Sequence, residues 1–200
     1  AIIEKEHAKK IIVFTDKGIR LTGLLDILTK ILHKTTAEYQ VFDNLTPEPA
    51  YQDVERVMDE VACYNGDFII AIGGGSVMDA AKLCSILKDA PYTIKDLLRD
   101  PAIAEKQIKT LMIPTTCGTG SEATCNAIVA IPEEQSKKGI VNDNMIPDYV
   151  FLDPQMIRKL PKSIIAATGV DALAHVVECF TSKKATSFSD TYAMAGAKLI

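Results

Sequence analysis

Three consecutive glycines followed by Ser76 form the stretch of this sequence best suited to binding an anion. Residues 68–72 before them are apolar and the right length for a buried strand, and residues 77–87 after them have helical spacing. Ser76 belongs to a residue type that caps helices. A glycine turn between strand and helix leaves backbone N–H groups open to a phosphate and adds the helix dipole. The pattern matches neither GxGxxG nor the P-loop, so it favours phosphate binding while a plain tight turn stays open.

A second loop that could wrap a polar ligand is rich in small hydroxyls and glycine. It occupies residues 114–124, directly after an apolar strand predicted over residues 110–114. Such a loop donates hydroxyl and backbone hydrogen bonds without bulk, although many loops of this composition are only solvent-exposed turns. Ligands on parallel sheets gather where strands end, which favours a binding loop here.

Asp16 follows the first apolar strand, and its position has two interpretations. It is either a turn residue before Gly18 or a carboxylate that accepts hydrogen bonds from a ribose diol. In the second case it would repel a 2′-phosphate and favour NAD over NADP. A dinucleotide fold usually places this acid after the glycine turn, whereas Asp16 precedes it.

Asp171 and His175 are four residues apart, so on a helix they lie on one face, with Glu178 nearby. A carboxylate and an imidazole at this spacing can hold Zn²⁺ or Fe²⁺. Spacing alone favours a surface Asp–His pair, because two ligands do not complete a metal site.

The order of apolar strands and amphipathic helices predicts an α/β fold with a doubly wound, mostly parallel sheet. Strands are expected at residues 11–15, 38–42, 68–72, 110–114, 126–131, 139–141 and 149–152, with main helices at 19–32, 51–64 and 77–87. Residues 132–138 are expected to turn between two of these strands, and residues 45–49 to form a rigid loop. Strand signals end near residue 160. We therefore predict an α/β domain over residues 1–160 and the start of an all-helical domain over residues 161–200.

The composition points to a cytoplasmic protein that binds neither nucleic acid nor membranes. The net charge is −4 with dispersed basic residues, and no apolar run reaches the roughly 18 residues of a membrane span. The five cysteines form no C-x-x-C pair, which indicates reduced thiols. The chain starts without Met and is expected to stop inside a helix, as a piece of a longer protein would.

Five motifs in register resemble the iron-containing (group III) alcohol dehydrogenases. They are Thr15-Asp16-Lys17-Gly18, the GGGSxxDxxK core within residues 67–82, IPTTCGTGSEAT, Ile146-Pro147-Asp148 with Asp153-Pro154, and Ala167 to His175. The resemblance covers nearly the whole chain. It implies a dehydroquinate synthase-like architecture, with an NAD(P)-binding α/β domain followed by a helical metal-binding domain, and with the cofactor and the metal in the cleft between them.

The resemblance also implies roles for individual residues. Gly74, Gly75 and Ser76 would hold the pyrophosphate, Asp16 the adenosine ribose, and Asp79 belongs to the same cofactor-binding set. The remaining cofactor contacts are expected at Thr115, Thr116, Thr119, Thr124, Asn126 and Lys137. Asp171 and His175 resemble the first two ligands of Fe²⁺, with Zn²⁺ as the alternative. Further metal ligands and the catalytic residue are expected beyond Ile200.

The implied reaction is hydride transfer between NAD(H) and a small alcohol or aldehyde, with the metal polarising the substrate oxygen. NADP is expected to be less suitable, and a homo-oligomer is expected. Two alternatives stay open. One is a glycerol dehydrogenase or dehydroquinate synthase-like enzyme on the same fold, and the other is an NAD-binding module without turnover.

Overall fold

A computed structural model describes residues 1–46 and 48–200 of the chain. The predicted loop at residues 45–49 therefore lies partly outside the described residues. The chain forms two compact units. The sheet unit comprises Ala1–Thr115 and Ser121–Asp153, and the helical unit comprises Thr116–Gly120 and Pro154–Ile200.

The sheet unit is built on five parallel strands in the order β2-β1-β3-β4-β7. These strands are β1 (Lys10–Phe14), β2 (Glu38–Phe42), β3 (Phe68–Gly73), β4 (Lys109–Pro114) and β7 (Tyr149–Val150). Every residue of the central strand β3 is buried. That burial explains why its sequence is a continuous apolar run rather than an alternating one. The prediction of an α/β fold with a doubly wound, mostly parallel sheet is confirmed.

The helices of the sheet unit connect these strands. They are α1 (Ile2–Lys5), α2 (Lys17–Leu21), α3 (Leu24–Leu32), α4 (Tyr51–Tyr64), α5 (Gly75–Leu87) and α6 (Ile94–Arg99). The single helix predicted over residues 19–32 was wrong, because the chain breaks at Gly23. That glycine adopts a left-handed conformation with φ of 76°, which ends one helix and starts the next.

Two core clusters hold the sheet unit together. The first packs α4 and α5 on one side of the sheet, and includes Phe14, Ile69 and Met112 from the strands. The second lies between α4, α5 and α6 and an antiparallel hairpin formed by β5 (Asn126–Ile131) and β6 (Ser136–Val141). Helix α5 contributes to both clusters, so it is buried on nearly all sides.

The hairpin is a separate two-stranded sheet. Strand β6 begins at Ser136, three residues earlier than predicted, so Lys137 lies in a strand rather than in the turn expected over residues 132–138. The turn is shorter because Gln135 adopts a left-handed conformation and reverses the chain at once.

The helical unit contains α7 (Lys162–Thr181) and α8 (Ser187–Leu199), which pack on one another. Among the described residues, α7 alone is long and apolar enough to cross a membrane by length and composition, with a mean hydropathy of 1.4. The sequence analysis predicted no segment long enough to span a membrane and so missed this helix, whose apolar residues are interrupted by charged and small ones. A single helix of this kind is weak evidence for a span, since a core helix passes the same test.

Candidate cofactor cleft

The strand order of the main sheet leaves a gap between the chain segments that follow β1 and β3, where a ligand can bind. Chain connections run from β1 outward to β2, and from β3 in the opposite direction through β4 to β7. The reversal falls between the adjacent strands β1 and β3. Open α/β sheets bind ligands outside the carboxyl ends of the strands at such a switch point.

A cleft of about 490 Å³ lies at this position. Its walls come from the segments that follow β1, β2 and β3. The lining residues are Asp16, Lys17, Gly18, Asn44, Leu45, Thr46, Gly74, Gly75, Ser76 and Val77. The structure thus brings together four of the sequence-predicted site residues, namely Asp16, Gly74, Gly75 and Ser76.

The glycine turn presents the N-terminus of α5 to this cleft. Gly74 occupies the N-cap position, and no side chain of a described residue caps the helix. Ser76 belongs to a residue type that can cap a helix, but it lies inside the first turn, and its hydroxyl accepts a hydrogen bond from the Glu48 N–H (3.2 Å). An uncapped helix N-terminus favours an anion through its free N–H groups and its dipole.

Gly73 ends β3 in close contact with the first turn of α5. A Cβ atom on Gly73 would lie 2.7 Å from Cβ of Val77, closer than real Cβ contacts come. The strand and the helix can therefore approach this closely only because residue 73 has no side chain.

Asp16 has the local role of a helix cap. Its Oδ1 atom accepts a hydrogen bond of 2.8 Å from the Ile19 N–H at the start of α2. Asp16 also lines the cleft, so the turn interpretation and the cleft position hold at the same time. One carboxylate oxygen is engaged by the cap, which leaves the other available on geometric grounds for a second donor.

Sequence reasoning missed the contribution of the segment after β2. Asn44 and Thr46 line the cleft, whereas residues 45–49 were predicted only as a loop. The signal was present in the sequence. These residues follow a strand that pairs in parallel with β1, so they had to lie at the same edge of the sheet as Asp16.

Thr115 lies beside the glycine turn but is fully buried. Its backbone N–H donates to the Gly73 carbonyl at 3.0 Å, which extends the pairing of β3 with β4. Its hydroxyl has no hydrogen-bond partner among the described residues, and the same holds for the buried hydroxyl of Thr15 after β1. Buried polar atoms usually have partners, so these two unsatisfied hydroxyls mark the strand ends that flank β3.

Asp79, Thr124 and Asn126 lie together around the buried side chain of Lys82. The Lys82 Nζ atom donates to the Thr124 hydroxyl at 3.0 Å and to the Asn126 carbonyl at 2.5 Å, and lies 3.2 Å from Asp79 Oδ1. Burial lowers the pKa of the Lys82 ammonium group, and the nearby Asp79 carboxylate partly opposes that shift. The Thr124 hydroxyl and the Asp79 carboxylate are therefore engaged within the protein.

Lys137 lies on the exposed surface of strand β6. Its ammonium group forms an ion pair of 2.6 Å with Glu48, whose N–H bonds Ser76. Glu48 has a positive φ of 52°, an uncommon conformation for a residue with a side chain. Lys137 is thus linked through one residue to the glycine turn.

The helical unit carries the other predicted residues, Thr116, Thr119, Asp171 and His175. Asp171 is half-buried and His175 is exposed, both on α7. Gly118 packs on this helix, since a Cβ atom there would lie 2.7 Å from the Thr168 carbonyl oxygen and 2.9 Å from Asp171 Oδ2. The described residues contain no group of three or more His, Cys, Asp or Glu side chains that could hold a metal ion.

Relatives of known structure share this fold. An iron-containing alcohol dehydrogenase from Thermotoga maritima superposes with a TM-score of 0.88 at 34% identity, covering 97% of this chain and 53% of that one. A sulfoacetaldehyde reductase from Bifidobacterium kashiwanohense, solved in complex with NAD⁺, superposes with a TM-score of 0.89 at 29% identity, covering 99% and 52%.

Sequence comparison leads to the same group of proteins. The NAD-dependent methanol dehydrogenase of Bacillus methanolicus is 31% identical over 193 residues, which is 96% of this chain and 51% of that protein. The chain therefore spans about half the length of these relatives. Residues 1–154 match the family model described as iron-containing alcohol dehydrogenase. With the parallel sheet, the glycine turn at its switch point and these similarities in place, the chain belongs to the iron-containing alcohol dehydrogenase family.

Proposed function

We propose that this chain is the cofactor-binding part of an NAD(H)-dependent alcohol dehydrogenase that acts on a small alcohol or aldehyde. The observation that carries the proposal is the cleft at the β1/β3 switch point, formed by the glycine turn on one side and Asp16 on the other. The proposal assigns NAD(P) binding to residues 1–160 and metal binding to residues 161–200. We also propose that the protein is cytoplasmic and forms a homo-oligomer.

The pyrophosphate of the cofactor would lie against Gly74, Gly75 and Ser76. Their position at an uncapped helix N-terminus supplies the N–H groups and partial positive charge that a phosphate requires. The ion pair between Lys137 and Glu48 lies next to Ser76, so Lys137 could exchange its carboxylate partner for a phosphate oxygen.

The adenosine ribose would lie near Asp16, whose carboxylate lines the same cleft. A carboxylate accepts hydrogen bonds from a ribose diol and repels a 2′-phosphate, which supports NAD as the cofactor rather than NADP. The Bacillus methanolicus relative is named as NAD-dependent and the Bifidobacterium relative was solved with NAD⁺, which supports the same choice. Thr116, Thr119 and Asn126 would contact the rest of the cofactor, whereas Thr115 is fully buried.

Asp171 and His175 would supply two ligands to a divalent metal, Fe²⁺ or Zn²⁺, on one face of α7. When bound, the metal would supply Lewis-acid polarisation of the substrate oxygen, and the nicotinamide would supply or accept the hydride. Two side chains do not complete such a site, so the remaining ligands would come from outside the described residues. Gly118 would help by allowing the loop at residues 116–120 to pack directly on Asp171.

The cofactor assignment is tested by titrating the protein with NADH and NADPH and following the nicotinamide fluorescence. We expect NADH to bind more tightly, and Asp16→Asn to reduce the preference by about tenfold, because the substitution removes the charge that repels a 2′-phosphate. Asp26→Asn, an exposed acid on α3, is the matched control. A protein that binds neither nucleotide would contradict the proposal.

The metal assignment is tested by measuring iron and zinc content. We expect Asp171→Ala to lose the metal while NADH binding stays within about twofold, since loss of one ligand from a small set weakens a metal site strongly. Asp143→Ala, which removes an exposed acid of the sheet unit, serves as the control. An Asp171→Ala protein with full metal content would overturn this assignment.

A second candidate function is an NAD-binding module without turnover, because the cleft that would bind the nucleotide is lined by residues of the sheet unit alone. Measuring aldehyde-dependent NADH oxidation after addition of Fe²⁺ or Zn²⁺ separates the two. Turnover supports the dehydrogenase, whereas nucleotide binding with no turnover supports the module.

A further inference from the structure

The fully buried lysine on helix α5 has no role in the function proposed above. Lys82 is 0% exposed, although it lies seven residues into a helix whose other buried positions are almost all apolar or small. An ammonium group can be kept in such a place only if hydrogen bonds and an opposite charge replace its water. The partners of Lys82 therefore show what the residue holds in position.

The ammonium group is surrounded by acceptors from one short segment and by one carboxylate. Nζ donates to the Ser121 carbonyl at 2.9 Å, to the Thr124 hydroxyl at 3.0 Å and to the Asn126 carbonyl at 2.5 Å. The Asp79 carboxylate, one turn earlier on α5, lies 3.2 Å away. Lys82 thus ties the helix to three points along residues 121–126.

Asp79 holds the same segment at its two ends. Its Oδ1 atom accepts from the Ser121 hydroxyl at 2.6 Å, and its Oδ2 atom accepts from the Ile128 N–H at 3.0 Å. The segment from Ser121 to Ile128 is therefore fastened to α5 by two neighbouring charged side chains. Within this segment the Thr124 N–H reaches the Ser121 carbonyl only at 3.5 Å, whereas residues 126–128 also pair with strand β6.

This arrangement connects two parts of the proposed cofactor site. Helix α5 begins at the glycine turn, and Asn126, a proposed cofactor contact, begins strand β5. Both are parts of the sheet unit. A displacement of residues 121–126 would move Asn126 while leaving the glycine turn in place.

We propose that Lys82 is a positioning residue, which together with Asp79 fixes residues 121–128 against α5 so that Asn126 and the glycine turn form one rigid cofactor-binding surface. The effect on the cofactor rests on the proposed function, whereas the effect on the segment does not. Lys82 acts through this segment and does not itself contact the cofactor.

The test compares Lys82→Met, which keeps the length of the side chain and removes its charge and donors, with Lys138→Met. Lys138 is exposed on β6, and among the described residues its one ion pair is with Glu134. Lys138→Met therefore controls for the loss of a lysine charge. Hydrogen exchange of peptides covering residues 121–128 is measured beside peptides from β1 and β3. NADH affinity is measured by fluorescence titration.

We expect Lys82→Met to exchange about tenfold faster at residues 121–128, with β1 and β3 unchanged, and to bind NADH about tenfold more weakly. Lys138→Met should change neither by more than about twofold. If Lys82→Met does not fold, Ser121→Ala is used instead, because it removes the hydrogen bond to Asp79 and keeps the ion pair of Lys82 with Asp79. We then expect about threefold faster exchange at residues 121–128.

Unchanged exchange at residues 121–128 would overturn the proposal, and so would faster exchange spread evenly over the whole sheet, which would indicate only a general stabilising role. Local loosening with unchanged NADH affinity would overturn the positioning of the cofactor. If the wild-type protein does not bind NADH, the proposed function fails, and the exchange measurement still decides whether Lys82 fixes the segment.

Discussion

The sheet unit and the helical unit differ in how completely their apolar side chains are covered. In the sheet unit every residue of β3 is buried, and α5 is buried on nearly all sides. In the helical unit no residue of α7 is fully buried, and Leu173, Val177 and Phe180 are among its exposed apolar side chains. The candidate cofactor cleft thus lies on a fully buried core, whereas the predicted metal ligands lie on a helix whose residues are mostly exposed.

This difference in burial determines how firmly each candidate site is held. A site on a packed core is held in place by its neighbours, so its geometry is set by the residues described above. The predicted metal ligands Asp171 and His175 lie on α7, where no residue is fully buried, so few neighbours hold their side chains in place. We therefore expect substitutions at buried positions of the sheet unit to change the free energy of unfolding more than substitutions on α7 do.

The largest contrast is expected between a core residue of β3 and an exposed residue of α7. Ile70→Ala removes a side chain that is 1% exposed and should lower the free energy of unfolding by about 2–5 kcal/mol. Val177→Ala removes one that is 52% exposed and should change it by less than about 0.5 kcal/mol. Urea denaturation measures both. A loss above about 2 kcal/mol for Val177→Ala would show that this face of α7 is covered in solution.

The next contrast concerns the glycines of the sheet unit. Gly73→Ala places a Cβ atom 2.7 Å from Val77 and should cost about 1–3 kcal/mol, because strand and helix must separate. NADH binding should weaken with it, since the turn that follows would shift. Gly139→Ala is the control, as its Cβ atom would meet nothing within 4 Å. Equal stability for the two variants would contradict the close packing at Gly73.

A pH-dependent contrast comes from Cys84 on α5. Burial raises the pKa of this thiol from its ordinary value of 9.0 to about 12. Above pH 9 the unfolded chain loses the thiol proton while the folded protein keeps it, so stability falls as the pH rises toward 12. The expected slope is about 1.4 kcal/mol per pH unit.

This contribution is measured by comparing the unfolding of the wild-type protein and Cys84→Ala between pH 9 and 11. The variant should show the shallower decline. A thiol reagent should modify the exposed Cys63 and Cys117 in the folded protein and leave Cys84 unmodified. Rapid labelling of Cys84 at pH 8 would show that α5 is less completely packed than its burial indicates.

The smallest contrast compares two glycines of the helical unit. Gly169→Ala adds a Cβ atom that meets nothing within 4 Å inside α7, and should raise the free energy of unfolding by about 0.5–1 kcal/mol. Gly118→Ala should lower it, because its Cβ atom would press against Thr168 and Asp171. Thermal unfolding distinguishes the signs. A destabilising Gly169→Ala would show that this side of α7 is packed after all.

Elements with strong local signals were predicted closely. Strand β2 and helix α4 have the bounds expected from their apolar periodicity, and β3 extends only one residue further. The errors lie at positions where the backbone conformation of a single residue determines where an element begins or ends. The break at Gly23 and the early reversal at Gln135 both depend on a positive φ, which side-chain periodicity does not reveal.

The site could be predicted only in part for a related reason. The glycine turn and Asp16 follow strands that a parallel sheet must bring to one edge, so their proximity could be inferred. The partners of Lys82 could not, because they lie 39 to 44 residues away, between a 3₁₀ turn and the start of strand β5. The ion pair of Lys137 with Glu48 depends likewise on where the hairpin packs.

By itself the sequence determined the alternation of strands and helices, the position of the glycine turn and the spacing of Asp171 and His175, because each follows from residues close together in the chain. Only the tertiary structure decided that β1 and β3 lie side by side, that Asn44 and Thr46 share a cleft with the glycines, and that a buried lysine fastens residues 121–128 to α5. These features depend on strand order and on packing between distant segments. A buried polar group is shielded from water, so it must bond to whichever partners the fold places beside it.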